Sequence, residues 1–222
     1  MKSKNSFVIR YKDFTFYSFI SLVSVSFFRA SSNIRYTPRI LGRRFALTST
    51  SYKWIDVAIN VGSVSCSVEI SLGDTRGNRI VLPYRTWRAL LDKRADFERF
   101  VQSTEAPSLP IHDLTVQLVK LHDESIVKLS LLDACIYLKP TTMLFMFELE
   151  HCVEHVYYTL HQSIATATEK FKYFVTFLRQ NFAMNKPDAT ELLRKSYDKS
   201  SQIECELIAY AIDTIIYDAL TT

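Results

Sequence analysis

The sequence predicts an α+β protein in which two tandem units of antiparallel strands plus a helix form an intramolecular pseudo-dimer, followed by a C-terminal helical hairpin. The main observation is an internal repeat. Alternating apolar residues recur at a constant offset of 59: Ile55, Val57, Ile59, Val68, Ile70 and Leu72 match Leu114, Val116, Leu118, Val127, Leu129 and Leu131. A second set recurs at an offset of 56: Ile80, Leu82, Trp87, Leu90, Leu91, Phe97, Phe100 and Val101 match Ile136, Leu138, Met143, Met146, Phe147, Val153, Val156 and Tyr157. A unit too small to bury its own apolar face packs against its copy, so one chain is expected to supply both halves.

The first unit, residues 51–104, begins with a predicted antiparallel hairpin. Residues 54–61 and 64–72 alternate between polar and apolar, and Gly62 and Ser63 supply the turn. After a connector at 73–78, residues 79–82 form a short strand, and Pro83 leads into a helix predicted to reach about Gln102. The second unit, residues 111–162, repeats this order after a linker at 105–110 that contains two prolines.

Residues 163–222 predict the helical hairpin. Two apolar stripes at helical spacing flank a break at 185–188: Phe171, Phe174, Val175, Leu178 and Phe182 in the first, and Ile203, Leu207, Ala211 and Ile215 in the second. Such stripes usually mark core, so the hairpin is interpreted as a lid over the repeat core. The alternative is that these helices bind a protein partner.

Charge is distributed unevenly along the 222 residues. Residues 1–50 hold nine Lys or Arg and a single acid, Asp13, whereas residues 51–222 hold 18 Lys or Arg against 22 Asp or Glu. An acidic body has no general attraction to phosphate backbones, so nucleic-acid binding would need a local patch or the basic arm. The four cysteines are far apart in apolar segments, as expected of buried thiols in a reducing compartment.

Residues 1–50 are predicted to be a basic N-terminal arm or a targeting segment. The apolar run at 14–28 has 15 residues, which is shorter than the ~20 that a membrane-spanning helix needs, so no integral membrane insertion is expected. From Arg29 to Trp54 the chain has no acid, and its arginines alternate with Ser, Thr and aliphatic residues, as in mitochondrial presequences. An equal alternative to a targeting segment is that residues 1–50 are a tail outside the folded protein.

Residues 79–91, RIVLPYRTWRALL, followed by Phe97 and Phe100, resemble the end of the positive cofactor four family of single-stranded-DNA-binding transcription coactivators. The likeness covers mainly residues 55–101, and more faintly 114–160, where Met143 replaces Trp87. It implies curved sheets that hold unpaired DNA, with the helices packed between them, and a nuclear location. A transit peptide at 1–50 would instead imply the mitochondrion.

The resemblance and the charge pattern together predict a nucleic-acid site of cations beside aromatic rings, formed by Arg76, Arg79, Arg85, Arg88, Lys53 and Trp54. The partner would be single-stranded DNA or RNA. The predicted outward strand positions, however, are acidic or neutral: Asp56, Ala58, Asn60, Ser65, Ser67, Glu69 and Ser71. They favour the second interpretation that stays open, a protein-interaction or structural module with the same fold and no nucleic-acid binding.

No catalytic site is predicted. Residues 151–155, HCVEH, place two histidines one helical turn apart around Glu154, as zinc proteases of the inverted motif do. The repeat matches His151 and His155 to Ala95 and Arg99, on the helix face turned away from the matched apolar positions, so no bound metal is expected. The four glycines form no phosphate-binding loop, and no cofactor is predicted.

Overall fold

The computed structural model describes residues 37–102, 108–121, 124–183 and 185–221. The strands within these ranges are β1 (Arg39–Ala46), β2 (Lys53–Val61), β3 (Cys66–Asp74), β4 (Arg79–Leu82), β5 (Leu109–Ile111), β6 (Leu114–Leu121), β7 (Glu124–Leu131) and β8 (Ala134–Leu138). The helices are α1 (Tyr84–Asp92), α2 (Arg94–Gln102), α3 (Pro140–Glu148), α4 (Glu150–Gln180), α5 (Lys186–Ser196), α6 (Gln202–Tyr210) and α7 (Ile212–Thr221).

The strands form two antiparallel sheets of four, in the orders β1-β2-β3-β4 and β5-β6-β7-β8. The matched apolar positions pair in the same register in both sheets: Val57 faces Ile70, and Val116 faces Leu129. Two helices follow each sheet, and three further helices end the described chain. The predicted α+β fold of two tandem strand-and-helix units with C-terminal helices is confirmed.

The two units share one core. Trp87 and its counterpart Met143 are both fully buried, as the repeat predicts, and Phe97 of the first unit packs edge-on against Phe147 of the second, with ring centroids 5.5 Å apart. The later part of α4 packs on β2 and β3, and α6 packs on β1. Residues of both C-terminal stripes, including Phe174 and Leu207, are buried in the same core. Phe182 of the first predicted stripe is instead exposed, because it lies beyond the end of α4.

Each predicted long helix is interrupted once. The chain leaves helical geometry at Lys93 and at Leu149, where ψ is 10° and 3°, and these positions are again 56 apart. The first predicted helix, to about Gln102, is therefore two helices, α1 and α2. Neither break contains glycine or proline, so the sequence offers no signal for it.

Four predicted boundaries differ from the structure. The strand predicted at 64–72 begins at Cys66, so the turn spans residues 62–65 and Ser65, predicted to face outward from the strand, lies in that turn. The predicted N-terminal arm, residues 1–50, includes residues 39–46, which form β1 and pair with β2 along Trp54–Asn60. The linker at 105–110 overlaps β5, which begins at Leu109. The second unit and the helical hairpin do not separate at residue 162, because α4 is one continuous helix of 31 residues across that position. Three short helices, rather than one, follow it.

A β-bulge explains why β1 was missed. Between Ile40 and Arg43 the strand takes three steps while its partner takes two, and Leu41 has a positive φ of 52°. The extra residue breaks the period-two alternation that identifies strands in a sequence. The bulged backbone N–H of Leu41 donates to Glu206 Oε2 of α6 at 2.5 Å, so α6 covers this part of the sheet edge.

The predicted arm or targeting segment at residues 1–36, with its apolar run, lies outside the described residues. Among the described helices, none is both long enough and apolar enough to cross a bilayer.

Replacing Trp87 by Ala should lower the free energy of unfolding by ~3–5 kcal/mol, because a fully buried indole leaves a large cavity in the core shared by both units. Urea titration of the full chain measures the loss. The control is Val81→Ala on the solvent side of β4, which should stay within about 0.5 kcal/mol of wild type. Equal small effects of both variants would contradict the shared core.

Candidate nucleic-acid interface

The six residues predicted to bind nucleic acid lie in three places. Strand alternation puts Trp54 and Arg79 on the outer face of the first sheet, opposite to the core, while Lys53 and Arg76 lie at the end of that sheet near the β3–β4 turn. Arg85 and Arg88 lie on α1. The structure therefore brings four of the six to one sheet and separates the other two from them.

The two arginines of α1 are paired with acids of the second unit. Arg85 lies 3.1 Å from Asp113, and Arg88 bonds to Glu154 and lies 3.3 Å from Glu150. The i,i+4 pair of Arg88 with Asp92 is longer, at 3.9 Å. These contacts link the two units across the pseudo-dimer, so both arginines already have carboxylate partners.

An alternating ladder of charges crosses the outer face of the first sheet. Arg44 and Arg39 of β1 contact Asp56 at 3.0 and 2.7 Å, Arg39 lies 3.9 Å from Glu69, and Arg79 lies 3.1 Å from Glu69. The ladder thus joins all four strands, and its two carboxylates are bound by three arginines. Sequence reasoning missed Arg39 and Arg44 because the bulge in β1 hides that they share this face.

The centre of the ladder is buried. Asp56 is 4% exposed and accepts a hydrogen bond from the Ser71 hydroxyl at 2.6 Å. Burial raises the pKa of the Asp56 carboxyl, but Arg39, Ser71 and Arg44 outweigh burial and hold the pKa below its usual range. Asp56 and Ser71, predicted to face outward, therefore lie on the predicted face but are not open to a ligand.

Trp54 belongs to the same face and is also covered. The guanidinium carbon of Arg44 lies 3.9 Å from the centre of its ring, within cation–π range. The ring lies over Gly73, where a Cβ atom would come within 2.2 Å of the indole. Glycine at this position thus lets the indole lie flat beneath Arg44.

Asp74 organises the turn that carries Arg76. Its carboxylate accepts hydrogen bonds from the backbone N–H groups of Arg76 and Asn78, each at 3.0 Å, and from Lys53 Nζ at 2.9 Å. Burial raises the pKa of this carboxyl, but the donors of Asn78 and Lys53 outweigh it and lower the pKa to about 2. Lys53 is therefore engaged, whereas Arg76 is exposed, 5.9 Å from the Tyr52 ring.

The outer face of the second sheet has a different charge pattern. At the offset of 59, Thr115 stands where the first sheet has Asp56, and Lys128 stands where it has Glu69. Gln117, Lys128 and Tyr137 lie side by side on three neighbouring strands, and Tyr137 is 43% exposed. Within the described ranges, no carboxylate forms an ion pair with Lys128. The signal for Lys128 and Tyr137 is present in the sequence, where they occupy the outer positions that match Glu69 and Val81 of the first unit.

A cavity of about 300 Å³ lies where the two sheets adjoin, and we call it the intersheet cleft. Its lining comes from both units: Thr48, Tyr52, Lys53, Leu121, Ile126, Tyr137, Leu138, Lys139 and Thr142. Lys139 Nζ lies 2.8 Å from Glu124 at the rim, and Lys53 Nζ lies 5.0 Å from the centre of the Tyr52 ring. The cleft thus connects the outer face of the second sheet with the end of the first sheet that carries Tyr52.

The zinc-protease motif lies on α4 with both histidines exposed. Glu150, His151 and Glu154 bring potential ligand atoms within 4.8 Å of one another. The Arg88 guanidinium contacts both carboxylates, and Tyr84 Oη lies 3.4 Å from Glu154 Oε1. Glu154 is therefore bonded to residues of α1 in the interface between α1 and α4. A general base would instead need a carboxylate that is not paired in this way.

The chain matches no protein-family model and no curated protein sequence.

Replacing Asp74 by Asn should destabilise the protein near neutral pH, and the difference from wild type should shrink as the pH falls from about 4 to 2. The pKa of Asp74 is lower in the folded than in the unfolded chain, so its contribution to stability is present above the unfolded pKa and is lost as the pH falls through the folded one. Urea unfolding of the full chain over this range measures it. Asp92→Asn, at an exposed carboxyl of α1, is the control, and a pH-independent effect of Asp74→Asn would contradict the assignment.

Proposed function

We propose that this protein binds single-stranded nucleic acid without sequence preference and without catalysis, using the outer face of the second sheet and the adjoining end of the first. The residues involved are Lys128, Gln117 and Tyr137 of the second sheet and Arg76 with Tyr52 of the first. Assistance to transcription is what the resemblance to the positive cofactor four family adds to this proposal.

A charge reversal at one pair of matched outer positions carries the proposal. Matched positions hold Glu69, bound by Arg79, in the first sheet and Lys128, without a carboxylate partner in the described ranges, in the second. A phosphate approaching the first face meets two carboxylates that arginines already neutralise. At the second face it meets an ammonium group beside a partly exposed tyrosine, so the second face is the more favourable one.

The side chains of this face match the chemistry of a single strand. Unpaired bases present flat π faces that stack on aromatic rings regardless of sequence, and Tyr137 and Tyr52 offer such rings. Lys128 and Arg76 can each contact one phosphate. The Gln117 amide can donate and accept hydrogen bonds at a base edge. With so few cations, binding should be weak and should depend on salt.

The charge ladder of the first sheet favours the second candidate, a protein-interaction or structural module of the same fold. Its carboxylates and arginines satisfy one another, as in a surface that serves stability or a protein contact. This candidate requires no affinity for nucleic acid at all.

Oligonucleotide binding to the full chain at several salt concentrations tests the proposal. We expect labelled single strands of DNA and RNA to bind, and we expect Lys128→Ala and Arg76→Ala each to reduce the slope of log K against log salt by about 0.7, the loss of one phosphate contact. Lys128→Glu, which restores at the matched position the acid of the first sheet, should weaken binding further.

The control variant is Lys172→Ala, which removes an exposed lysine of α4 on the core side of the first sheet and should leave the slope unchanged. Arg85→Ala should also leave it unchanged, because that side chain is paired with Asp113. Absence of binding even at low salt would reject the proposal in favour of the interaction module. Equal slopes for wild type and Lys128→Glu would reject the site.

A further inference from the structure

The intersheet cleft is large enough to hold a small ligand. At about 300 Å³ it reaches the lower size of small-molecule pockets. Leu121, Ile126 and Leu138 make its lining largely apolar, and Tyr52 and Tyr137 add two aromatic rings. Its polar side-chain groups are the hydroxyls of the two threonines and the two tyrosines and the ammonium groups of the two lysines. Such a lining fits a small planar ring system rather than a charged or extended ligand.

The cleft has no equivalent at the related positions of the pseudo-dimer. The offsets of the repeat place Ser67 where the cleft has Ile126, and Val81 where it has Tyr137. The related positions therefore lack both an apolar wall and an aromatic ring. Among the residues that the structure describes, the repeat therefore supplies these two walls once.

The surroundings of the cleft indicate where its ligand comes from. Tyr137 belongs both to the cleft and to the outer face beside Lys128. On the other side, Tyr52 lies near the Lys53 ammonium group and the Arg76 guanidinium. Lys53 is engaged by Asp74, so the exposed Arg76 on one side of the cleft and Lys128 on the other are the cations that can contact the phosphates preceding and following an inserted base.

We propose that the intersheet cleft receives one unstacked nucleobase of the bound strand, with Tyr52 and Tyr137 as its aromatic walls. This inference rests on the proposed function and adds a defined base-binding position to it. The apolar lining offers few hydrogen-bonding groups that could recognise the edge of a base. The position therefore accepts both pyrimidines and purines, and only the size of the ring system limits which bases enter. A strand bound elsewhere on the sheet would leave the cleft empty.

Tyrosine variants of the full chain separate this inference from the proposed function. Tyr137→Leu should weaken binding of a single strand about tenfold, the loss of one stacked base, without changing the salt slope, because no phosphate contact is removed. Tyr137→Phe keeps the ring and should retain the affinity. Tyr210→Leu, at an exposed tyrosine of α6, is the matched control and should have no effect.

Photocrosslinking provides the direct measurement. A strand containing 5-iodouracil should crosslink to Tyr52 or Tyr137, as mapped by mass spectrometry, and uridine monophosphate should compete only far above the concentration at which the strand saturates the protein. Competition by the monophosphate at equal concentration would instead identify a free-nucleotide site and overturn the proposal.

Two outcomes distinguish failure of the cleft proposal from failure of the proposed function. If Tyr137→Leu binds as wild type and crosslinks map outside the cleft, while Lys128→Ala still lowers the salt slope, the cleft proposal fails and the proposed function stands. If wild type binds no single strand at low salt, both fail together.

Discussion

The structure depends on one apolar core to which both repeat units contribute. Each sheet has one apolar face, and burial of that face requires helices of both units, which meet where Phe97 contacts Phe147. The buried counterparts Trp87 and Met143 differ in size, so the two halves are equivalent in topology but not in packing. Because a close-packed interior tolerates few voids, this shared core sets the positions of both sheets and of the cleft between them.

Charged contacts then determine which surfaces remain available. On the first sheet, three arginines bind Asp56 and Glu69, and on α1 two arginines bind acids of the second unit. A partly buried carboxylate is costly unless donors satisfy it, and Asp56 has three such donors around it. The arginines that a charge count singles out are thus largely used within the protein itself.

The proposed binding surface lies at outer positions where the two repeat units carry different residues. The inward positions are apolar in both units because they pack in the shared core, whereas the outer positions differ between the units. Lys128 in place of Glu69 replaces a carboxylate by an ammonium group, and Tyr137 in place of Val81 adds an aromatic ring, both on the outer face and not in the core. An internal duplication can therefore keep one sheet for stability and leave the other free to bind a ligand.

The sequence by itself determined the repeat and the inward apolar positions of the strands, because strand alternation is a local property with a period of two that survives in the residue order. Only the tertiary structure decided that β1 belongs to the first sheet, because the bulge at Leu41 shifts the alternation by one residue. The ion pairs that engage Arg85, Arg88 and Lys53, and the cleft between Tyr52 and Tyr137, join residues far apart in the chain. Their contacts follow from how the shared core orients the two sheets, which no local pattern encodes.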